Sequence, residues 1–272
     1  MRYDLHSHST ASDGTLSPRE LIHRASEAGL DGIALTDHDT VDGLEEAVEA
    51  GHDFGIEVIP GIELSIQYES EDLHVLGYWI DYQNPSLREE LSGIARMRED
   101  RAALMLEKLE ALGIRVSMEL VLEEANGGKV GRPHVARALL RRGYVEDIHE
   151  AFARFIGNEG PAFVPKSLMD MDRGMELLHK YGAVTVFAHP FLNDYRRAIP
   201  ELCQRGLAGL EVEHPSQSEE VRNYLRGVCK ERSLLATAGS DFHEPGSLGK
   251  VLGSHALSAD ALAKLKSRRP GS

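Results

Sequence analysis

Short apolar runs rich in Ile, Val and Leu alternate, over the first hundred residues, with stretches whose apolar positions recur every three or four residues. The first pattern predicts strands at 2–6, 31–36, 57–66 and 73–80. The second predicts helices at 18–28, with Pro18 near the first turn, and at 41–54. From about residue 86 the period changes. Helical spacing with many charges covers 86–112, and shorter helices follow at 118–126, 133–142 and 147–156, with no strand until 162–165. Alternation then resumes, with helices at 171–181, 198–205 and 218–230 and strands at 183–188, 207–213 and 234–238. The expected organisation is an α/β domain made of 1–96 and 166–272, with a mostly parallel sheet wrapped by helices and an all-helical insertion, or cap, at 97–165. Only the tail, 268–272, reads as unstructured.

Composition narrows the function classes. A chain of 272 residues, 42% hydrophobic and 27% charged, is long enough for a substantial core. No run approaches 18 apolar residues, and residues 1–6 lack the apolar stretch of a signal peptide, so a cytoplasmic protein with no membrane partner is expected. Two cysteines, Cys203 and Cys229, rule out a disulfide framework, and the lack of a C-x-x-C rules out a thiolate zinc site. The net charge of −14 disfavours a long nucleic-acid groove, although bound cations would reverse the sign locally.

Thirteen histidines are the unusual count, and many of them fall where predicted strands end. His6-Ser7-His8 closes the first strand, with Asp13 in the loop beyond. His38 follows the second strand, Glu63 lies between Ile62 and Leu64, His74 opens the fourth, His189 follows 183–188, and Asp241 and His243 follow the last. Each has an ordinary reading alone: His38 as a satisfied polar residue, Asp241 as a helix N-cap, His189 as a hydrogen-bond donor. Glu63 resists one, because an unpaired carboxylate in an apolar strand costs several kcal/mol or more, and a cation removes that cost. A cluster with nitrogen and oxygen ligands accounts for all nine residues together, at the rim where α/β barrels assemble their sites. His23, His52, His149, His179 and His255 fall on predicted helices or loops and need no such role.

The strings His6-Ser7-His8-Ser9-Thr10-Ala11-Ser12-Asp13-Gly14, Leu35-Thr36-Asp37-His38-Asp39, Gly61-Ile62-Glu63, His74-Val75-Leu76-Gly77, Ala188-His189-Pro190 and Gly239-Ser240-Asp241-Phe242-His243 resemble the polymerase and histidinol phosphatase (PHP) family. The helical insertion, with Gly131-Arg132-Pro133-His134-Val135-Ala136-Arg137, resembles the branch acting on 3′,5′-nucleoside bisphosphates. The resemblance implies a distorted (β/α)7 barrel holding three divalent metal ions, with Mn2+ expected and Zn2+ or Fe2+ as alternatives. It also implies ligand sets of His6, His8, Glu63 and Asp241 for one ion, Glu63, His74 and His189 for a second, and Asp13, His38 and His243 for a third. Asp13 stands where many relatives carry a histidine. Asp37 and Asp39 remain candidates for hydrogen-bonding or capping roles.

Such a cluster would generate a metal-bound hydroxide near neutral pH and offset charge on a phosphoryl group. No G-x-S-x-G elbow and no cysteine at a strand end offers a protein nucleophile. Residues 129–142 carry Lys129, Arg132, Arg137, Arg141 and Arg142 with no acidic residue. Arg132 and His134 fall at a predicted helix N-terminus, where backbone N–H groups favour phosphate. They are the expected phosphate contacts, with Lys166 and Arg196 or Arg197 as further candidates, and His134 is a possible general acid. Arg137, Arg141 and Arg142 read as surface residues. The expected activity is hydrolysis of a phosphate monoester of a small nucleotide, the 3′-phosphate of a 3′,5′-bisphosphate. The alternatives are a 5′→3′ exonuclease on short oligonucleotides, a histidinol-phosphate phosphatase, and a non-catalytic metal-binding module.

Overall fold

The computed structural model describes residues 1–69, 71–165, 168–192, 195–246 and 249–270. The first part of the chain forms β1 (Arg2–Asp4), α1 (Pro18–Glu27), β2 (Gly32–Leu35), α2 (Leu44–Phe54), β3 (Glu57–Tyr68) and β4 (Glu71–Tyr78). The helical stretch comprises α3 (Pro85–Ala111), α4 (Met118–Ala125), α5 (Arg132–Arg141) and α6 (Ile148–Ala151), which runs into a π-helical turn at Phe152–Ile156. Then come β5 (Met169–Asp170), α7 (Met171–Lys180), β6 (Val184–Phe187), α8 (Tyr195–Gln204), β7 (Gly209–Glu213), α9 (Glu219–Arg232), β8 (Leu235–Ala238), β9 (Leu257–Ser258) and α10 (Ala259–Lys266). Local chemistry starts the helices. Ser17 accepts from the Glu20 N–H while Glu20 accepts from the Ser17 N–H, and Pro18 opens α1 without a donor to satisfy.

Two expectations change. The strand at 162–165 is absent, because its carbonyls are taken by side chains of α3: Arg101 Nε donates to Val164 O and Lys108 Nζ to Phe163 O, each at 2.7 Å. The short β5 follows instead and pairs with β3. Residue 97, read as an insertion boundary, falls inside the unbroken α3. β9 and α10 were not anticipated, and the tail is described only to residue 270, as turns.

Among the described residues the sheet runs β8-β7-β6-β4-β3-β2-β1-β9, with β5 beside β3. Neighbours are parallel except around β4, which is antiparallel to both β3 and β6, and at β9. The ends come together: Leu5 N–H donates to Ala238 O at 3.2 Å, His8 N–H donates to Phe242 O at 2.8 Å, and Ser7 bridges Phe242 in parallel. The sheet is a nearly closed barrel.

Strand alternation divides the core. Leu5, Ala34, Ile59, Leu76, Tyr78, Val186 and Ala238 form an inner cluster, while Ile62, Leu64, Ile66, Phe187, Leu210 and Val212 pack in the layer with the helices. Ile59, Gly61, Glu63 and Ser65 thus share one face of β3, and that face is the barrel interior. The helices from α3 to the π-helical turn hold a separate apolar cluster around Met105, Leu109, Val121, Val135, Leu139 and Ile156.

Candidate metal centre

Glu63 lies at the middle of the barrel mouth, fully buried. Oε1 is 2.8 Å from His74 Nδ1 and 2.9 Å from His189 Nε2. Oε2 is 3.1 Å from His38 Nδ1 and 3.2 Å from both His6 Nε2 and His8 Nε2. Five imidazoles therefore face one carboxylate. Asp241 Oδ1 extends the cluster, at 3.3 Å from His8 Nε2, 3.4 Å from His243 Nδ1 and 3.5 Å from His6 Nε2. Asp13 completes it, at 3.4 Å from His243 Nε2 and 3.9 Å from both His8 Nδ1 and His38 Nε2. All nine residues singled out from sequence converge.

The backbone explains the convergence. β1 stops at Asp4, two residues short of the predicted end, so His6 and His8 sit on the segment that joins the ends of β2 and β8. β2 continues pairing past its own end, with Asp39 N–H donating to Glu63 O at 3.0 Å, which carries His38 to Glu63. His74 reaches the site from β4, paired with Ser65. Asp39, His189 and Asp241 take positive φ of 54°, 28° and 50°, an uncommon conformation for non-glycine residues, and here it occurs at the strand ends that carry the site. Asp37 accepts from Ser9 N–H and Ser9 Oγ at 2.7 Å and from Ser12 Oγ at 2.6 Å, closing the loop that presents Asp13.

The ligand-capable atoms group in overlapping sets: His8, Asp13, His38 and His243; His6, His8 and Asp241; His6, Glu63 and His189; His38, Glu63 and His74. His8 thus belongs with the Asp13 group as well as with His6, and His38 lies as close to Glu63 as the other imidazoles do. Burial opposes charge throughout, yet the charged partners prevail at the carboxylates. Despite burial, His38, His6 and His74 hold Glu63 well below the usual range, and His243 and His38 do the same for Asp13. Burial lowers His8 but hydrogen bonding to Asp241 and Glu63 raises it to about 9, while burial outweighs the carboxylates at His38 and pushes it well down.

Sequence reasoning missed four residues here. Glu211 Oε1 is 2.9 Å from His6 Nδ1, and His214 Nε2 is 3.4 Å from Asp241 Oδ2, to which Lys250 Nζ also donates. Arg98, on α3, pairs with Asp39 and has Nη2 3.5 Å from Ser65 Oγ. Glu211 carried a signal: it sits between Leu210 and Val212 just as Glu63 sits between Ile62 and Leu64.

The expected phosphate contacts divide. Arg132, at the start of α5, lines a small cleft with Arg98, Arg101, Val130, Gly131 and Val135. Its guanidinium lies over Phe152 and Phe163 at 5.6 and 5.9 Å and donates to Asn158 Oδ1 at 2.8 Å. Burial and the neighbouring Arg132 lower Arg101 to about 10, a sign of crowded cations. His134 is buried and its Nδ1 accepts from the Gly131 N–H at 2.9 Å. Burial, then Arg137, lowers its pKa to about 4, so near neutral pH it offers a fixed Nε2–H, which suits a hydrogen-bond donor better than an acid. Arg197 pairs with Glu69 at 2.5 Å on the exposed side of α8, and Arg196 lies over Tyr224. Lys166 lies outside the described residues. Arg141 and Arg142 are exposed and Arg137 half-buried. The helical stretch is tied to the barrel rim by Arg98–Asp39, by Lys129 N–H to Ala11 O at 3.1 Å and by Lys129 Nζ to Asp42 at 2.7 Å.

The family profile of the PHP domain matches residues 4–186, which includes six of the nine clustered residues. This chain is a PHP-domain protein. A 5′-3′ exoribonuclease of Haemophilus influenzae is 37% identical to this PHP protein over 249 residues, covering 90% of each chain. A 3′,5′-nucleoside bisphosphate phosphatase of Chromobacterium violaceum is 33% identical over 256 residues, covering 92% of this chain and 90% of that one. The solved structure of a Bifidobacterium adolescentis protein assigned as a metal-dependent phosphoesterase superposes with a TM-score of 0.90 at 29% identity, over 98% of this chain and 96% of that one. No helix among the described residues of the PHP protein is long and apolar enough to cross a membrane.

Proposed function

We propose that this chain, a metal-dependent PHP phosphoesterase, hydrolyses the 3′-phosphate of a 3′,5′-nucleoside bisphosphate. The cluster itself fits divalent ions. His6 Nε2, both ring nitrogens of His8, His38 Nδ1, His189 Nδ1 and Glu63 Oε2 are buried without a hydrogen-bond partner, and a cation satisfies such atoms at once. Imidazole and carboxylate donors suit Mn2+, Zn2+ and Fe2+, with Mn2+ proposed. Divalent ions held there would acidify water and offset charge on a phosphoryl group. Asp13, Glu63 and Asp241 supply three carboxylates, so three divalent ions would leave the pocket positive within an acidic protein.

The protein's own groups would bind and orient the rest of the substrate. Arg132, Arg101 and Arg98 converge at the start of α5, where backbone N–H groups add to the guanidinium charge. This cleft suits a 5′-phosphate, with the 3′-phosphate directed into the cluster. His134 Nε2–H is a further neutral donor. The single observation carrying the proposal is the pairing of two anion-attracting sites on one rim, joined through Arg98 and Asp39.

A second reading, 5′→3′ cleavage of short 5′-phosphorylated oligonucleotides, is favoured by the 37% identity to an exoribonuclease. It uses the same 5′-phosphate cleft. The net charge of −14 argues against long polymers in either case. Steady-state comparison of 3′-phosphoadenosine 5′-phosphate, AMP and a 5′-phosphorylated trinucleotide with added Mn2+ separates them. The bisphosphate is expected to give the highest kcat/KM, and Arg132→Ala to remove at least tenfold of its advantage over AMP, as about 1.5–3 kcal/mol for a charge-assisted hydrogen bond requires. A trinucleotide preference would favour the exonuclease. Unchanged selectivity in Arg132→Ala would remove the clamp.

A further inference from the structure

We propose that Glu211 and His214, at the end of β7, act as positioning residues that set the tautomer of His6 and the aim of Asp241 toward bound metal. β7 is a parallel barrel strand whose end supplies none of the nine clustered residues. Leu210 and Val212 pack in the outer core, so Glu211 between them faces the barrel interior, fully buried.

Both oxygens of Glu211 act as acceptors. Oε1 lies 2.9 Å from His6 Nδ1, and Oε2 accepts the His189 backbone N–H at 2.7 Å. An ionised carboxylate only accepts, so the proton of a neutral His6 belongs on Nδ1. That leaves the lone pair on Nε2, which faces Glu63 at 3.2 Å and Asp241 at 3.5 Å and has no hydrogen-bond partner. His214 has the opposite tautomer. Ser216 N–H donates to its Nδ1 at 3.2 Å, which places the proton on Nε2, 3.4 Å from Asp241 Oδ2. With His214 and Lys250 both donating to Oδ2, Oδ1 is turned to His6, His8 and His243. One strand end thereby orients two groups of the cluster and the backbone of a third.

His6, Glu211 and His214 are themselves close enough to hold a cation. Their hydrogen bonding argues otherwise: His6 Nδ1, both Glu211 oxygens and both His214 nitrogens have partners, whereas the atoms around Glu63 include several with none. Outer hydrogen bonds of this kind commonly alter metal affinity by ten- to a hundredfold, because they fix ring orientation and raise ligand basicity.

The inference rests on the nine residues being metal ligands, and titration of the wild-type protein with Mn2+ and Zn2+ tests that separately. Calorimetry with Mn2+ on wild type, Glu211→Gln and His214→Phe, together with imidazole NMR of Zn2+-loaded wild type, tests the positioning role. Gln offers one acceptor and one donor where two acceptors are required, so Glu211→Gln is expected to lose ten- to a hundredfold in affinity. His214→Phe is expected to lose about tenfold. Loaded wild type is expected to show a protected Nδ1–H on His6. A merely structural role would lower the urea midpoint of the metal-free variants while leaving affinity and that proton signal unchanged, which overturns the proposal. Wild-type protein that binds neither ion overturns the ligand reading and the positioning role with it.

Discussion

Replacing His134 by Gln isolates one buried imidazole without removing the hydrogen bond that fixes it. In the native protein, His134 Nδ1 accepts from the Gly131 N–H at 2.9 Å, and a Gln at this third helical position can return the same bond. What Gln lacks is a proton to gain. Burial, reinforced by Arg137 and Arg98 and opposed by Asp13, lowers the His134 pKa from 6.5 to about 4. A group that binds its proton more weakly when folded stabilises the native state above its unfolded pKa and loses that contribution as pH falls through its folded pKa. The gap between 6.5 and about 4, at about 1.4 kcal/mol per unit, corresponds to about 3 kcal/mol. Urea unfolding of chelated wild type and His134→Gln, at intervals from pH 7 to pH 4, reads this directly, because the other titrating groups are common to both. The variant is expected to lose about 3 kcal/mol less across that window. Parallel stability curves within about 0.5 kcal/mol, the usual scatter of independent effects, would refute the buried neutral imidazole and with it the fixed Nε2–H donor.

Two further outcomes follow from packing and charge. A Cβ at Gly239 would lie 2.3 Å from His6 Cβ and 2.8 Å from Glu211 Oε1, so Gly239→Ala is expected to destabilise by about 1–3 kcal/mol and weaken Mn2+ binding, read by thermal unfolding and metal titration. Arg98→Met leaves the buried Asp39 without its counter-charge, although Ser65 N–H still donates to it at 2.6 Å. A loss of about 3 kcal/mol in urea unfolding is expected, and Asp39→Asn in the same chain should restore more than half of it; equal losses in the single and double variants would show that the pair is not the cause.

The legible part of the site is the part that local periodicity controls. A carboxylate between Ile62 and Leu64 must face away from the helix layer, and histidines at strand ends must reach one rim if the strands run parallel. These constraints act within a few residues, and all nine members were visible through them. The same rule applied to Leu210-Glu211-Val212 would have found Glu211. His214, directly after the strand predicted at 207–213, carried the same strand-end signal as His189. Lys250 and Arg98 had none: Lys250 lies in a glycine-rich loop, and Arg98 in a charged helix that reads as solvated on any face.

By itself, the sequence determined which residues face the barrel interior and which stretch is helical, because side-chain period and apolar burial are properties of single elements. Only the tertiary structure decided that β4 runs against its neighbours, that the segment at 162–165 gives its carbonyls to α3 instead of a strand, and that Arg98 spans from α3 to Asp39. Hydrogen-bond partners and ion pairs between distant segments depend on where whole elements come to rest, and no local pattern records that position.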